Sequence, residues 1–254
     1  MSRLCVSLVQ MRCEKGAIEE NLAAIATHLR AGADRGAHII CFPEMSITGY
    51  IEPRRRPEAV LRMDGPEIAR FLALTEGADM TAIAGLVEEN PAGKPFITQI
   101  VARGGALLAV YRKRTIIEEE AEWFAAGTEP AIFLHPLACC GLAVCADIES
   151  PAVFADVASL GARIVFEAAA PGLYGEQATR DWRSGFDWWR GECTTKLGRY
   201  ARENGVFIAV ATQAGRTMDE DFPGGGYLFG SDGQLLVASE DWSEGALYAD
   251  VPLA

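Results

Sequence analysis

Short apolar runs of strand length alternate with helical segments along the chain, and this alternation limits the fold more than any other feature of the sequence. The run LCVSLV at 4–9 is followed by a predicted helix at 17–35, in which apolar residues recur on one face at helical spacing. The run AHIICF at 37–42 follows immediately. Strands separated by amphipathic helices are typical of an α/β fold, in which helices cover the faces of a sheet.

The later segments continue the pattern and add hairpins. Gly-Gly at 104–105 and Asp-Gly at 232–233 mark tight turns, the second inside a hairpin at 227–239. No linker, low-complexity tract or fixed-period repeat interrupts the chain, so we expect residues 1–254 to form a single α/β domain. Further helices are predicted near 68–76, 152–160 and 180–204, and further strands at 81–87, 97–102, 106–112, 131–134, 141–145, 162–168, 206–212 and 246–251.

The charge of the chain limits its partners. Asp and Glu number 35 against 23 Lys and Arg, which gives a formal net charge of -12. Such a chain repels phosphate backbones and anionic lipid, so neither nucleic acid nor a membrane surface is an expected partner. The first residues show no apolar core after a basic segment, and no later run is long enough to span a bilayer. We expect a cytoplasmic protein whose partner is a small molecule.

Cysteine and histidine usage argues against disulfides and metal sites. The seven cysteines are an odd number, and several lie within apolar runs, which favours reduced thiols. No Cys-x-x-Cys pair occurs, and the three histidines are scattered, so neither a metal nor another cofactor is expected. The cysteines interpreted as core thiols are Cys5, Cys41, Cys139 and Cys140.

Three chemically capable side chains follow predicted strands. Glu44 comes after AHIICF, Lys113 comes after ALLAVYR, and Cys145 comes directly after GLAV. In open α/β sheets, catalytic groups gather beyond the carboxyl ends of the strands, because loops there leave a rigid scaffold at one edge. We therefore expect the three residues to converge in space.

This trio supports nucleophilic catalysis by a thiol. Cysteine attacks as its thiolate, which a neighbouring Lys113 ammonium favours, while the Glu44 carboxylate takes the proton. No histidine is suitably placed after a strand to serve as the base, so a Cys-His or Ser-His pair has weak support. Lys113 and the backbone N–H of Ala146 are suited to hold the oxyanion of a tetrahedral intermediate. Glu44 can then protonate the leaving nitrogen and activate water.

Three segments of the chain resemble the signature motifs of the nitrilase superfamily, the carbon-nitrogen hydrolases with a Glu-Lys-Cys triad. They are FPEMSITGY, YRKRTIIEEEAEWFAAG and GLAVCADIESP, and they occur in the family's order. The later stretches ENGVFIAVATQAG and FPGGGYLFGSDGQLL resemble its late strand and its glycine-rich hairpin. The resemblance implies that Glu44 is the base, that Lys113 stabilises the oxyanion and that Cys145 is the nucleophile. It also implies that Glu120, seven residues before Gly127, positions the substrate.

The same resemblance implies a fold and an assembly. The family fold is a four-layer α-β-β-α sandwich, and family members usually pair through helices. We therefore expect a homodimer or a higher homo-oligomer.

The sequence departs from the family pattern at two places that bear on the substrate. Nitrilases tend to have Cys-Trp-Glu after the nucleophile, whereas this chain has Cys-Ala-Asp, which is more similar to the amidase and carbamoylase branches. An arginine that would bind an amino-acid carboxylate has no obvious counterpart around Pro151. We predict hydrolysis of a small amide to a carboxylic acid and ammonia or an amine, through a thioester. The alternatives are a nitrilase, an N-carbamoyl amidohydrolase, or an inert binding or assembly protein that retains the fold.

Several other residues are candidates for the pocket. Tyr50 lies just past Glu44, Glu167 ends the predicted strand RIVF, and Tyr174 lies in the loop that follows it. Glu167 would face the site or an ion partner, because a buried carboxylate without a partner is unfavourable. An aromatic cluster could line the pocket, the core or an interface between subunits; its members are Trp182, Phe186, Trp188 and Trp189.

Overall fold

The computed structural model describes residues 2–117 and 120–253. Its helices are α1 (Ile18–Asp34), α2 (Pro66–Leu74), α3 (Glu120–Trp123), α4 (Pro151–Ser159) and α5 (Trp182–Asn204). Its first seven strands are β1 (Ser2–Gln10), β2 (Ile39–Cys41), β3 (Thr81–Glu88), β4 (Phe96–Arg103), β5 (Ala106–Arg112), β6 (Ile132–His135) and β7 (Ala138–Val144). The others are β8 (Ile164–Ala169), β9 (Phe207–Thr212), β10 (Ala214–Arg216), β11 (Asp221–Pro223), β12 (Gly226–Phe229), β13 (Leu235–Ala238) and β14 (Gly245–Leu253).

Two six-stranded sheets form the centre of the protein. One has the order β14-β1-β2-β3-β4-β5, and the other has the order β13-β12-β9-β8-β7-β6. Strands β1, β2 and β3 are mutually parallel, as are β7, β8 and β9, whereas the outer strands join by antiparallel pairing. The mixture of parallel and hairpin-joined strands predicted from the sequence is therefore confirmed.

Three apolar layers hold the sheets and helices together. The layer between the sheets includes Leu8, Ile83, Leu142 and Phe166. A second layer lies between the first sheet and helices α1 and α2, and a third lies between the second sheet and helices α4 and α5. The four-layer α-β-β-α sandwich is confirmed. Because both faces of the central strands are covered, all eight residues of β3 are buried, as expected for strands that read as continuous apolar runs.

Strand direction brings the carboxyl ends of the central strands to one edge. Strand β5 follows two successive antiparallel pairings, β3 with β4 and β4 with β5, so it runs in the same direction as β2 and β3. The segments that follow β2 and β5 therefore leave the first sheet on the same side. The parallel pair β7 and β8 supplies the corresponding edge of the second sheet.

The sequence prediction differs from the structure in a few details. The short hairpin β10–β11 and the four-residue helix α3 were not predicted, because each is too short to show a periodic pattern. Strand β7 ends at Val144, and Cys145 opens a 3₁₀ turn at Cys145–Glu149 instead of ending the strand. Across residues 2–117 and 120–253, no helix is both long enough and apolar enough to cross a membrane.

Candidate active site

The three strand-end residues meet between the two sheets. The Lys113 Nζ atom lies 2.9 Å from Glu44 Oε1. The Cys145 thiol also lies beside the Glu44 carboxyl and acts to lower the pKa of Glu44. Glu44 and Lys113 are fully buried, whereas Cys145 keeps partial exposure to a pocket. The convergence expected from their strand-end positions therefore occurs.

Lys113 is held between two carboxylates. Its ammonium donates to Glu44 and, at 2.6 Å, to Oε1 of Glu120. Burial by itself lowers the pKa of Lys113, but Glu44, Cys145 and Glu120 outweigh burial and raise this pKa above its ordinary value. Lys113 is therefore a permanent cation. An ammonium has three donors, so one N–H remains after the two carboxylate contacts.

Glu44 is placed to exchange a proton. Its Oε2 accepts the backbone N–H of Ala170 at 3.1 Å, while Oε1 accepts from Lys113. Burial raises the pKa of Glu44 to about 7, against the lowering effect of Lys113. A carboxyl with this pKa can accept a proton in one step and return it in the next near neutral pH.

Cys145 is a thiol in the resting site. Burial, followed by the charge of Glu44, raises its pKa well above the ordinary value, while Lys113 and the Ala170 N–H act in the opposite direction. The sequence-based hypothesis that Lys113 favours the thiolate is correct in sign, but its effect is the smaller one. The proton must therefore leave at the moment of attack, and Glu44 is the adjacent acceptor.

Backbone geometry at the site is strained at two positions. Cys145 has φ 45° and Met45, which follows Glu44, has φ 48°. Within the described residues these are the non-glycine residues with positive φ, and such conformations persist where the surroundings impose them. Gly85 permits the turn after Glu44, since a Cβ there would lie 2.4 Å from the Met45 nitrogen.

Asp147 supports the turn that carries Cys145, although it was not among the predicted site residues. Its buried carboxylate accepts the Val144 N–H at 2.9 Å, the Thr115 N–H at 2.8 Å and the Tyr111 hydroxyl at 2.6 Å. One side chain thus joins the end of β7 to the segment that follows Lys113. The available signal was an Asp two residues after the nucleophile, a position where short acidic side chains cap turns.

A pocket of about 610 Å³ opens above the Cys145 side chain. Ala146, Tyr50 and Tyr174 line it, with Tyr174 on the exposed outer part. The Tyr50 hydroxyl donates to Glu120 Oε1 at 2.5 Å. Tyr50 therefore holds this carboxylate in place in addition to lining the pocket.

Glu120 is the carboxylate that reaches the site from the acidic segment. Its Oε1 is occupied by Lys113 and Tyr50, while its buried Oε2 has no hydrogen-bond partner among the described residues. Glu120 also lines the pocket. Glu122 is exposed, and Glu118 and Glu119 lie outside the described residues.

Glu167 does not line the pocket, which corrects its interpretation as a substrate-binding residue. Strand β8 alternates its side chains, so Phe166 faces the layer between the sheets while Val165 and Ala169 face helices α4 and α5. Glu167 shares the parity of the second set and is fully buried on the helix side. Within the part of the chain described, it also has no ion partner.

The aromatic cluster of α5 divides between pocket and core. Trp188 and Trp189 line the pocket, although Trp188 is exposed and Trp189 is buried. Phe186 packs in the layer beneath α5, and Trp182 lies outside the pocket lining. Among residues 2–117 and 120–253, no group of three or more His, Cys, Asp or Glu side chains is arranged to hold a metal ion.

Comparison with known proteins defines the class. The sequence profile described as carbon-nitrogen hydrolase matches residues 5–254. The chain belongs to the carbon-nitrogen hydrolase family, which confirms the resemblance seen in the three motifs.

Solved structures share the fold. An amidase from Nesterenkonia sp. superposes with a TM-score of 0.82 at 23% sequence identity, covering 99% of this chain and 91% of that chain. Glutamine-dependent NAD⁺ synthetase from Acinetobacter baumannii superposes with a TM-score of 0.81 at 19% identity, covering 99% of this chain and 46% of that chain.

The curated relatives are distant in sequence and differ in length. Glutamine-dependent NAD⁺ synthetase of Thermotoga maritima is 24% identical over 261 residues, covering all of this chain and 43% of that protein. N-carbamoylputrescine amidase of Arabidopsis thaliana is 26% identical over 265 residues, covering 98% of this chain and 86% of that protein. The chain thus spans less than half the length of the synthetases that it matches.

Proposed function

We propose that the protein hydrolyses the carbon-nitrogen bond of a small primary amide, giving a carboxylic acid and ammonia, with Cys145 as the nucleophile. Support comes from the family, from the contact between Cys145 and Glu44, and from Lys113 beside both. In a variant of the structurally similar Nesterenkonia amidase, the acetamide moiety of fluoroacetamide is covalently added at the active-site cysteine.

The free oxygen of Glu120 is the reason for proposing an amide substrate instead of a nitrile. Glu120 lines the pocket, and its buried Oε2 is an unused acceptor among the described residues, while Oε1 is fixed by Lys113 and Tyr50. An amide nitrogen has N–H groups to donate to this oxygen, whereas a nitrile nitrogen has none. A nitrile would leave the buried acceptor unsatisfied, which costs about 1–3 kcal/mol.

Acylation uses the three strand-end residues in turn. The Cys145 sulfur attacks the amide carbon while Glu44 takes the thiol proton. The negative charge that develops on the carbonyl oxygen is met by the third N–H of Lys113 and by the Ala146 N–H. Glu44 then gives its proton to the nitrogen, the C–N bond breaks and ammonia leaves, so that a thioester remains.

Deacylation returns the site to its starting state. Glu44 is again a carboxylate and removes a proton from water, which attacks the thioester carbon. Lys113 and Ala146 hold the second oxyanion as they held the first. The C–S bond breaks, the Cys145 sulfur regains a proton from Glu44, and the carboxylic acid is released.

An N-carbamoyl group is the second candidate. Its terminal –CO–NH₂ presents the same N–H donors to Glu120 as an amide does, so this contact does not separate the two. The similarity to N-carbamoylputrescine amidase over 98% of the chain supports this alternative. Glutamine is a third substrate to test, since the NAD⁺ synthetases are glutamine-dependent.

Ammonia release from a panel of substrates tests the proposal. The panel contains acetamide, propionamide, glutamine, N-carbamoylputrescine and propionitrile. We expect turnover of a –CO–NH₂ compound that is lost in Cys145→Ala and unaffected in Cys139→Ala, a matched control in which another partly exposed thiol is removed. Turnover of the nitrile alone would contradict the role given to Glu120.

Inertness toward every substrate would favour the binding or assembly protein. In that case Cys145 would show no faster alkylation than Cys139 at neutral pH. The cytoplasmic location and the dimeric or higher state remain part of the proposal. Sedimentation analysis of the purified chain tests the assembly, and a monomer at micromolar concentration would exclude it.

A further inference from the structure

A buried carboxyl group lies beneath the nucleophile turn and is not used by the proposed mechanism. Glu167 on β8 is directly opposite Ala143 on β7 and Val210 on β9. Val210 is in turn opposite Tyr227 on β12, so four residues lie abreast across the sheet on its helix side. Ala143 is two residues before Cys145, and the row therefore lies directly below the turn that carries the sulfur.

Within the described residues, Glu167 makes no ion pair and no well-formed hydrogen bond that would stabilise a negative charge. Its exposure is 0%, and neither carboxyl oxygen has a well-formed hydrogen bond within residues 2–117 and 120–253. Its partners in the row, Ala143 and Val210, are apolar and buried. An isolated carboxylate in such surroundings is strongly disfavoured, and a buried acid binds a proton instead.

The electrostatic surroundings act in the same direction. Burial, followed by the charges of Asp147 and Glu44, raises the pKa of Glu167 well above its ordinary value. Lys113 and the backbone N–H of Cys145 lower this pKa, but by less. The ionisable groups that interact with Glu167 from the surrounding elements are Cys41, Glu44, Tyr111, Lys113, Asp147 and Cys193.

We infer that Glu167 is a neutral carboxylic acid that positions the Cys145 turn from below and keeps a further negative charge out of the site. Three carboxylates already surround the reacting atoms, namely Glu44, Glu120 and Asp147. A fourth charge next to the Cys145 N–H would oppose both the thiolate that forms during attack and the oxyanion that follows it. The Cys145 N–H lowers the pKa of Glu167 although it makes no well-formed hydrogen bond with either carboxyl oxygen, so the neutral acid still places a partial negative charge near the N–H of this turn.

Two neutral substitutions at this position test the acceptor oxygen separately from the charge. Glu167→Gln keeps a neutral group with one acceptor oxygen, whereas Glu167→Leu is neutral but offers no acceptor to the Cys145 N–H. We expect kcat/KM to fall about tenfold or more in Glu167→Leu, through a lower kcat and an unchanged KM. In Glu167→Gln we expect kcat/KM to stay close to the wild-type value. This arm rests on the proposed function, because it requires a substrate.

Two readouts do not require a substrate. In the infrared spectrum at neutral pH, the C=O stretch of a protonated carboxyl should decrease in Glu167→Gln and stay unchanged in Glu122→Gln, an exposed control. As pH rises above about 4.3, the thermal midpoint of Glu167→Gln should increase relative to that of the wild type. The reason is that the unfolded wild type loses a proton that its folded form retains, which destabilises the folded wild type.

The same readouts can overturn the inference. An unchanged carboxyl band, or a Glu167→Gln midpoint that falls relative to the wild-type midpoint as pH rises, would show that Glu167 is ionised in the folded protein. Failure of Glu167→Gln to fold, or an activity as low as that of Glu167→Leu, would equally contradict a neutral acid. Inactivity of the wild type on every substrate would count against the proposed function alone, since the spectroscopic and thermal results would stand.

Discussion

The Glu44 carboxyl must be ionised to accept the thiol proton, and its pKa is raised to about 7 by burial. Below this pH the free enzyme holds Glu44 protonated, so we expect kcat/KM to decrease as pH falls through about 7. Glu44→Gln should lower kcat by about 10²–10⁴-fold, the usual contribution of a general base. Initial rates between pH 5 and 9 check both expectations, and a flat wild-type profile over that range would contradict the assignment.

In the proposed mechanism, Glu120 contributes a free acceptor and not a proton. Glu120→Gln places an amide in the contact with Lys113 and Tyr50, and removes the charge that receives the substrate N–H. We expect kcat/KM to fall by about 10–100-fold, the cost of a lost hydrogen bond to a charged group. Steady-state kinetics with the preferred amide measure the loss. Glu122→Gln, which alters an exposed carboxylate on the same helix, should leave kcat/KM unchanged.

At the scale of secondary-structure elements, Asp147 joins β7 to the segment that follows β5. In Asp147→Asn an NH₂ group replaces one of the oxygens that accept the Val144 and Thr115 N–H groups, so donor faces donor. We expect about 1–3 kcal/mol less stability and up to about 100-fold lower kcat, because Cys145 and Lys113 lose their fixed separation. Urea unfolding and kinetics test this, and Asp187→Asn on the exposed face of α5 is the control. Equal effects in the two variants would exclude the role of a joining residue.

Helix α5 supplies part of the outer pocket wall through Trp188. Several of the exposed large apolar side chains surround this pocket, and they are Ile117, Tyr174, Trp188 and Met218. An apolar wall of this kind favours amides with an extended apolar acyl chain. We expect Trp188→Ala to reduce the kcat/KM ratio of hexanamide to acetamide by about tenfold. Trp182→Ala, on the same helix but outside the pocket lining, should preserve the ratio.

At the scale of the whole molecule, the apolar layer between the sheets is shared by both halves of the chain. Leu142 of the second sheet packs in the same layer as Leu8 of the first. We expect Leu142→Ala to lower the free energy of unfolding by about 2–5 kcal/mol. Tryptophan fluorescence and far-ultraviolet circular dichroism should shift together, since one layer holds both sheets. Two separated transitions would contradict the single domain expected over residues 1–254.

Local sequence patterns were enough to predict the secondary-structure elements and to select Glu44, Lys113 and Cys145. Apolar periodicity is a local property, so the central strands, helices α1 and α5 and the Asp232–Gly233 hairpin could be predicted within a few residues. Glu44, Lys113 and Cys145 could be selected because each follows a strand, and strand ends meet at one edge of a sheet. The motifs around them identified the family, which the profile match over residues 5–254 confirms.

The surroundings of each carboxyl group, in contrast, depend on how distant segments fold together. Glu120 was assigned from the family motif, but its contacts with Lys113 and Tyr50 depend on how the segment after β5 folds back. Glu167 was expected near the substrate, yet strand parity directs it to the helix layer. Asp147 acquired its role from partners far apart in the chain. Charge, burial and hydrogen bonding at these positions are set by residues brought together in folding, which local sequence patterns do not encode.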